Sequence, residues 1–428
     1  MHAHRPTTRA LLASLLLSSV ALAGAWPRFR GPNGQGISDA RTIPIRWTDA
    51  DYAWRIDLPG SGHSSPGVWD DKVFVTCADP QTPKGILLAL DVATGSILWR
   101  KDYPLSRYRM NTLNSYAATT PALAADRVYV LWQTAAQTTL VALDHSGREI
   151  GTKDFGPNSS QHGPGASPIV VDGLVVFTHE QREGQDGCWI AVDAESGQTR
   201  WKLPRDPQPI SYSTPCLFTP PGEQAQLVFT STAHGVTAVA PRDGTVLWEA
   251  SDAFIARVVS SPVLADGLIV GSCGEGGVGK RLAAVMPPAG PGDSPQLAWS
   301  APQGAATPYV PTCLYKDGLL YSFQDQGTVA CRIARTGEIL WNEKPAGRFY
   351  GSPVWLDNRL YCITREGRCV VLQAGRNYSL LAVNDLGEPS DATPAVADER
   401  MYLRTFSKLM CLTGMRRGET ISRRDRPF

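Results

Sequence analysis

The chain has 428 residues, of which 43% are apolar and 19% charged, ample for a large core. A formal net charge of +1 removes any global electrostatic case for nucleic acid as the partner. Forty glycines and thirty-three prolines call for many tight turns, and large all-β folds of this length are often a single unit.

Residues 1–25 read as a secretory signal peptide. Arg5 and Arg9 supply the positive charge, and the run from Ala10 to Ala25 is apolar, small and too short for a spanning helix. Small residues suit cleavage after Ala23 or Ala25; an uncleaved anchor is the alternative. No cysteine stands near the cleavage point, so no lipoprotein anchor is expected. No later apolar run reaches membrane-spanning length. These features place the expected product in the periplasm or outside the cell.

Residues 26–46 form a Gly/Pro-rich strap, expected to lie outside the main fold. The segment Asp51-Tyr-Ala-Trp54-Arg-Ile-Asp57 then reads as a lone strand.

From Ser65 onward one unit recurs: Ser/Thr-Pro, a few residues, Asp-Gly, an apolar strand, a loop, Ala-x-Asp, a glycine turn and Trp. Copies begin at Ser65-Pro66, Thr120-Pro121, Ser167-Pro168, Thr214-Pro215, Ser261-Pro262, Ser352-Pro353 and Thr393-Pro394, with a degenerate one near Pro311-Thr312. Successive prolines lie 41 to 55 residues apart, which fits a four-stranded propeller blade. Gly95, Gly197, Gly244 and Gly337 are followed four residues later by Trp99, Trp201, Trp248 and Trp341. A glycine there suits a hairpin turn, and an outer-strand Trp can pack between sheets. The last repeat stops at Gly414 without its outer strand. The segment near Trp54 supplies that strand, so the expected fold is an all-β, eight-bladed β-propeller over 47–414, its last blade closed by an N-terminal strand.

Two motifs suggest chemistry and fail on context. Gly274-Glu-Gly276-Gly-Val-Gly279-Lys280-Arg281 matches a phosphate-binding glycine loop. Arg281 stands where a Ser or Thr would hold Mg²⁺, and the following Leu282–Met286 reads as a strand rather than a helix. A glycine-rich hairpin is expected instead. His63, His145, His162, His179 and His234 have no partner at metal-ligand spacing, and there is no nucleophile elbow. No catalytic residue and no metal ligand is assigned. Nine cysteines leave at least one thiol unpaired in a monomer, and Cys362 with Cys369 flank a hairpin where a pairing would depend on register. The tail 415–428 carries five arginines and reads as a frayed, solvated end.

The repeat resembles the pyrroloquinoline-quinone (PQQ) repeat propellers over nearly the whole mature chain. The resemblance rests on Trp26-Pro-Arg-Phe-Arg-Gly31-Pro32-Asn-Gly34-Gln-Gly36, Leu58-Pro-Gly60-Ser-Gly62-His63-Ser64-Ser65-Pro66, Leu381-Ala-Val-Asn384-Asp-Leu-Gly-Glu388 and Met401-Tyr-Leu-Arg404. It implies an exported propeller similar in fold to the BamB-like proteins of the outer-membrane assembly machinery. Quinoprotein dehydrogenases of this fold carry an adjacent Cys-Cys pair, a Ca²⁺ ligand set of Glu, Asn and Asp, and a catalytic Asp. This chain has no Cys-Cys pair, and no position matches the acidic set.

A candidate ligand site comes from strand alternation. Residues three and five before each repeat Pro/Thr share a face where the innermost strands begin, at one mouth of the central channel. Those positions give His63, Tyr116, Tyr212, Arg257, Tyr309, Arg348 with Tyr350, and Asp391; His162 sits just ahead of the third blade. Aromatic and cationic groups there suit a small anionic, peptide or glycan ligand. The bland reading is a solvated rim packed for ring closure. The leading functional expectation is a monomeric, non-enzymatic binding or scaffold propeller whose partners are envelope proteins or cell-wall polymers, with no cofactor. The alternatives are a quinoprotein oxidoreductase, which would need PQQ with Ca²⁺, and a carbohydrate-active propeller using the channel mouth.

Overall fold

The computed structural model describes residues 24–414, apart from residues 80, 108–109, 161, 183–184, 207–208 and 291. Most of the segment read as a signal peptide (1–23) and the whole basic tail lie outside the described residues. Regular structure among the described residues is β-strand apart from three short 3-10 turns.

Each repeat folds into one antiparallel meander. Blade 1 is Gly67–Trp69, Lys72–Asp79, Lys84–Asp91 and Ile97–Pro104, paired in that order. Seven more sheets follow the same plan, and the fifth carries an additional two-residue strand, Arg257–Val258. The innermost strands are three residues long and the middle two are almost wholly buried, because each sheet is covered on both faces by its neighbours. In the eighth sheet Tyr52–Asp57 pairs antiparallel with Lys408–Thr413, Trp54 opposite Cys411 and Asp57 opposite Lys408. The early strand therefore completes the last blade and closes the ring, as the truncated final repeat required.

The Ser/Thr of the repeat has a definite task. The backbone N–H of Ser65 donates to Thr120 Oγ1, Thr120 to Ser167, Ser167 to Thr214, Thr214 to Ser261, Ser261 to Thr312, Thr312 to Ser352, Ser352 to Thr393, and Thr393 back to Ser65 Oγ, all within 2.9–3.3 Å. A circle of eight hydrogen bonds thus links every blade to the next. The degenerate sixth repeat keeps its hydroxyl in Thr312 and loses only the proline, which Cys313 replaces.

The Gly-to-Trp spacing ties the rim in the same way. Trp54, Trp99, Trp201 and Trp299 each lie against the turn glycine of the following blade, at Gly95, Gly147, Gly244 and Gly337, where a Cβ would come within 2.5–2.8 Å of the indole. Their indole N–H groups donate to carbonyls of that same turn region, for example Trp99 to His145 O at 3.0 Å and Trp201 to Pro241 O at 2.8 Å. Gly197 is an internal control: it follows blade 2, whose outer strand Glu149–Asp154 has no Trp, and a Cβ there would meet open space.

One expectation needs correction, and one pairing left open by the sequence is resolved. The strap does not lie outside the ring but crosses one end of the channel. Trp26 exchanges both backbone hydrogen bonds with Val68, Pro27 O accepts from Leu123 N, Asn33 pairs with Leu217, Gln35 Oε1 accepts from Leu264 N, and Gly36 O accepts from Trp355 N. The inward edges of the three-residue strands have no neighbour across the channel, and the strap satisfies them. The pairing left open is that of Cys362 and Cys369, which are both free thiols. Ile363, not Cys362, stands opposite Cys369, so the register is one residue out. The two side chains enter different cores on opposite faces of the blade.

Candidate functional site

The innermost strands run from an open mouth down to the strap, and the mouth holds a cavity of about 410 Å³. Its wall follows the expected strand alternation in every blade but the sixth, where it is one residue out. Ring hydroxyls line it, as do the residues two positions before every ring hydroxyl: His63, Ala118, Gly165, Tyr212, Val259, Val310, Tyr350 and Asp391. Phe29 reaches it from the strap and forms part of its floor.

Seven of the nine expected residues line this cavity: His63, His162, Tyr212, Arg257, Tyr309, Tyr350 and Asp391. Tyr116 and Arg348 do not. Both lie four residues before the ring hydroxyl, where the chain has already turned away from the channel. Tyr116 is buried in the core between blades 1 and 2. Arg348 points outward and pairs with Glu366 at 3.0 Å, its side chain 55% exposed. Arg257 occupies the same sequence position, yet the extra strand Arg257–Val258 holds it against Gly274 and Cys273 and keeps it at the mouth.

The electrostatics divide the mouth into two sides. On one side Arg365 makes a two-pronged bond to Asp391, Nε to Oδ1 at 2.8 Å and Nη2 to Oδ2 at 3.3 Å, and its guanidinium lies 4.0 Å from the centre of the Tyr350 ring. Asp325 lies behind it, accepting the backbone N–H of Tyr309 at 2.8 Å and of Val310; burial pushes its carboxyl up to about 6 against those bonds. His63 stacks on Phe406, with ring centres 5.2 Å apart. Burial, with Arg404 and Arg365 close by, pushes its imidazole down to about 4, so it is neutral at pH 7.

On the other side Arg257 Nη1 donates to His162 Nε2 at 2.9 Å, and Asn111 Nδ2 lies 3.2 Å from His162 Nδ1. Burial first, and then the adjacent guanidinium, lower the His162 pKa. The Tyr309 hydroxyl is within hydrogen-bond reach of Arg257, and the Tyr212 hydroxyl pairs with Ser160 at 2.7 Å. Among the described residues no carboxylate lies at ion-pair distance from Arg257.

Several lining residues escaped the alternation argument, among them four outside the blades. Asn111, Leu113 and Asn114 belong to the connection between blades 1 and 2, which bends over the mouth; Asn114 Nδ2 donates to His162 O and Pro164 O, both at 2.7 Å. Their signal was the stretched spacing from Pro66 to Pro121, the longest in the chain. The fourth is Phe29, hidden because the strap was placed elsewhere. Gly276 and Gly277, the heart of the phosphate-loop match, form the tip of a plain hairpin between Leu268–Glu275 and Val278–Met286, both with positive φ, and touch the mouth only at its edge.

The architecture is that of the PQQ-like repeat propellers: eight blades, a strap-sealed floor and an open polar mouth. The model of the family described as outer membrane protein assembly factor BamB matches residues 41–118, 83–312 and 293–412, and the chain belongs to that family. Over 198 residues it is 27% identical to quinohemoprotein alcohol dehydrogenase ADH IIB of Pseudomonas putida, a match spanning 43% of this chain and only 28% of that protein. Among solved structures it is similar to quinohemoprotein alcohol dehydrogenase from Comamonas testosteroni (TM-score 0.67, 15% identity, 93% of this chain and 82% of that one). It is also similar to BamB from Moraxella catarrhalis (TM-score 0.61, 12% identity, 87% and 99%). At these identities the likeness concerns the fold. Among the described residues no helix is long and apolar enough to cross a membrane.

Proposed function

We propose that this protein is an exported, non-enzymatic binding propeller that acts as a scaffold in the cell envelope and recognises its partners through the channel mouth. One observation carries the reading: the strap closes one end of the channel, hydrogen-bonded to several blades, while the other end keeps an aromatic and polar cavity facing outward. Its volume falls in the ~300–1,000 Å³ range usual for small-molecule sites. Membership of the BamB family supports a binding role, and the apolar segment before Ala25 supports export.

The quinoprotein relatives raise a second reading, in which the same mouth would hold a quinone with Ca²⁺. The residues present do not fit that pair. Calcium takes six to eight oxygen ligands, typically several carboxylates. Asp391 is engaged by Arg365 and Asp325 by backbone N–H groups. Among the described residues no three His, Cys, Asp or Glu side chains stand together as a metal site, and no two cysteines are adjacent in the sequence.

The test is site-specific photocrosslinking in the host envelope, with the crosslinker at Leu113 on the mouth and, as a control, at Asp126 on the strap side. The proposal expects discrete adducts from Leu113 alone. Dye reduction by the purified protein after adding PQQ and Ca²⁺ would overturn it, as would adducts from Asp126 alone.

A further inference from the structure

Building on the mouth as a recognition site, we infer that it contains a subsite for a single carboxylate carried on an apolar body, with Arg257 as its anchor. Arg257 is the one Lys or Arg among the described lining residues. Its Nη1 is held by His162, its Nε is buried with no hydrogen-bond partner, and Tyr309 stands beside it. A guanidinium carries five N–H donors, so donors remain for a carboxylate once His162 and Tyr309 are served.

Charge selects a monoanion. Arg365 is already neutralised by Asp391, and both mouth histidines are neutral at pH 7, leaving one uncompensated positive charge on the lining. A phosphate dianion would have a single cation and would share the cavity with the Asp391 carboxylate. The remaining wall accepts an apolar body: Val259, Val310, the Tyr212 and Tyr309 rings, and Leu113, which stands 43% exposed over the cavity. This environment suits a hydrophobic carboxylic acid, whether a free small acid or the carboxyl end of a polypeptide.

Isothermal titration of the full mature chain tests this with N-acetyl-L-phenylalanine, its amide, an acetylated tetrapeptide ending in phenylalanine with a free carboxyl group, and inorganic phosphate. The acids should bind saturably and the amide at least about tenfold more weakly, because the amide leaves a buried guanidinium donor unpaired. Arg257→Met should erase the preference for acid over amide without moving the melting temperature. A tighter tetrapeptide identifies a chain end as the ligand; equal affinities identify a free acid. Equal binding of acid and amide would overturn the inference, as would no saturable binding of either acid, displacement of the acid by phosphate at equal concentration, or an undiminished preference in Arg257→Met. Such a result alongside mouth-specific crosslinks would sink the carboxylate subsite and leave the scaffold reading standing. Loss of the crosslinks with acid binding intact would do the reverse.

Discussion

Arginine stands at both ends of the channel and does different work at each. At the floor Arg30 is fully buried, and its guanidinium donates to four main-chain carbonyls, those of Gly34, Gln35, Thr312 and Cys313, at 2.9–3.1 Å. Arg28 donates to Pro215 O beside it. Burial pushes both guanidinium groups down to about 10, which still leaves them charged at pH 7. Arg404, also fully buried, donates to Ser64 O at 2.9 Å, to Thr76 O at 2.7 Å and to Ser64 Oγ, stitching blade 8 to blade 1 where the ring closes. Gly62 makes room for it, since a Cβ there would stand 2.4 Å from Arg404 Nη2. At the mouth Arg257 keeps donors in reserve. Arg28 and Arg404 also leave Nε without a partner, so what sets Arg257 apart from the framework arginines is that it faces a cavity and serves no carbonyl.

The contrast can be broken in five places. The largest effect is expected from deleting residues 47–58, which reopens the ring and exposes the edge of Lys408–Thr413. Circular dichroism should show loss of cooperative unfolding for the whole chain rather than a local change. Arg30→Met comes next. It strands four buried carbonyls, and denaturant titration should show a loss of about 3 kcal/mol or more.

The third effect depends on pH. The His63 pKa is lowered on folding from 6.5 to about 4, so between those values the unfolded chain binds a proton that the folded chain does not. Its contribution is fully present above about pH 6.5 and is lost as pH falls through the window, on the order of 2 kcal/mol after allowing for its contact with cavity water. His63→Phe should flatten that part of the stability profile. Asp325 runs the opposite way, because its raised pKa favours the folded chain as pH falls from about 6 to 3.8. The profile is therefore best compared in an Asp325→Asn background. Fourth, Ser65→Ala removes one link of the hydroxyl circle, leaving Thr393 N–H unpaired, at about 1 kcal/mol by chemical denaturation. The smallest stability effect, within about 0.5 kcal/mol, is expected for Arg257→Met, since no buried carbonyl depends on it.

Most of the ring was legible in the sequence because the repeat itself encodes the fastenings. The Ser/Thr of each repeat closes the hydroxyl circle, and outer-strand tryptophans dock several blades on the turn glycine of the next. The lone strand at Trp54 was recognisable because the last repeat lacked its partner. The mouth was legible only in part. Counting back from Thr312 rather than from its missing proline shifted the sixth blade by one position, so Tyr309 was chosen and Val310 overlooked, although both line the cavity. Alternation could not reveal where the chain leaves strand geometry, so Tyr116 and Arg348 were assigned to the mouth but lie away from it, while Arg257 lines it for a reason not visible in the pattern. The strap was misplaced because its partners are backbone groups of blades far along the chain, as in the bond from Arg30 to Thr312, which spans 282 residues. Such contacts leave no periodic trace.

The most direct test pairs Arg30→Met with Arg257→Met and measures thermal unfolding and N-acetyl-L-phenylalanine binding on the same preparations. The account predicts that Arg30→Met unfolds at a clearly lower temperature, while Arg257→Met melts like the native protein and loses its preference for the acid over its amide. An Arg257→Met protein that is destabilised as strongly as Arg30→Met while retaining that preference would contradict it.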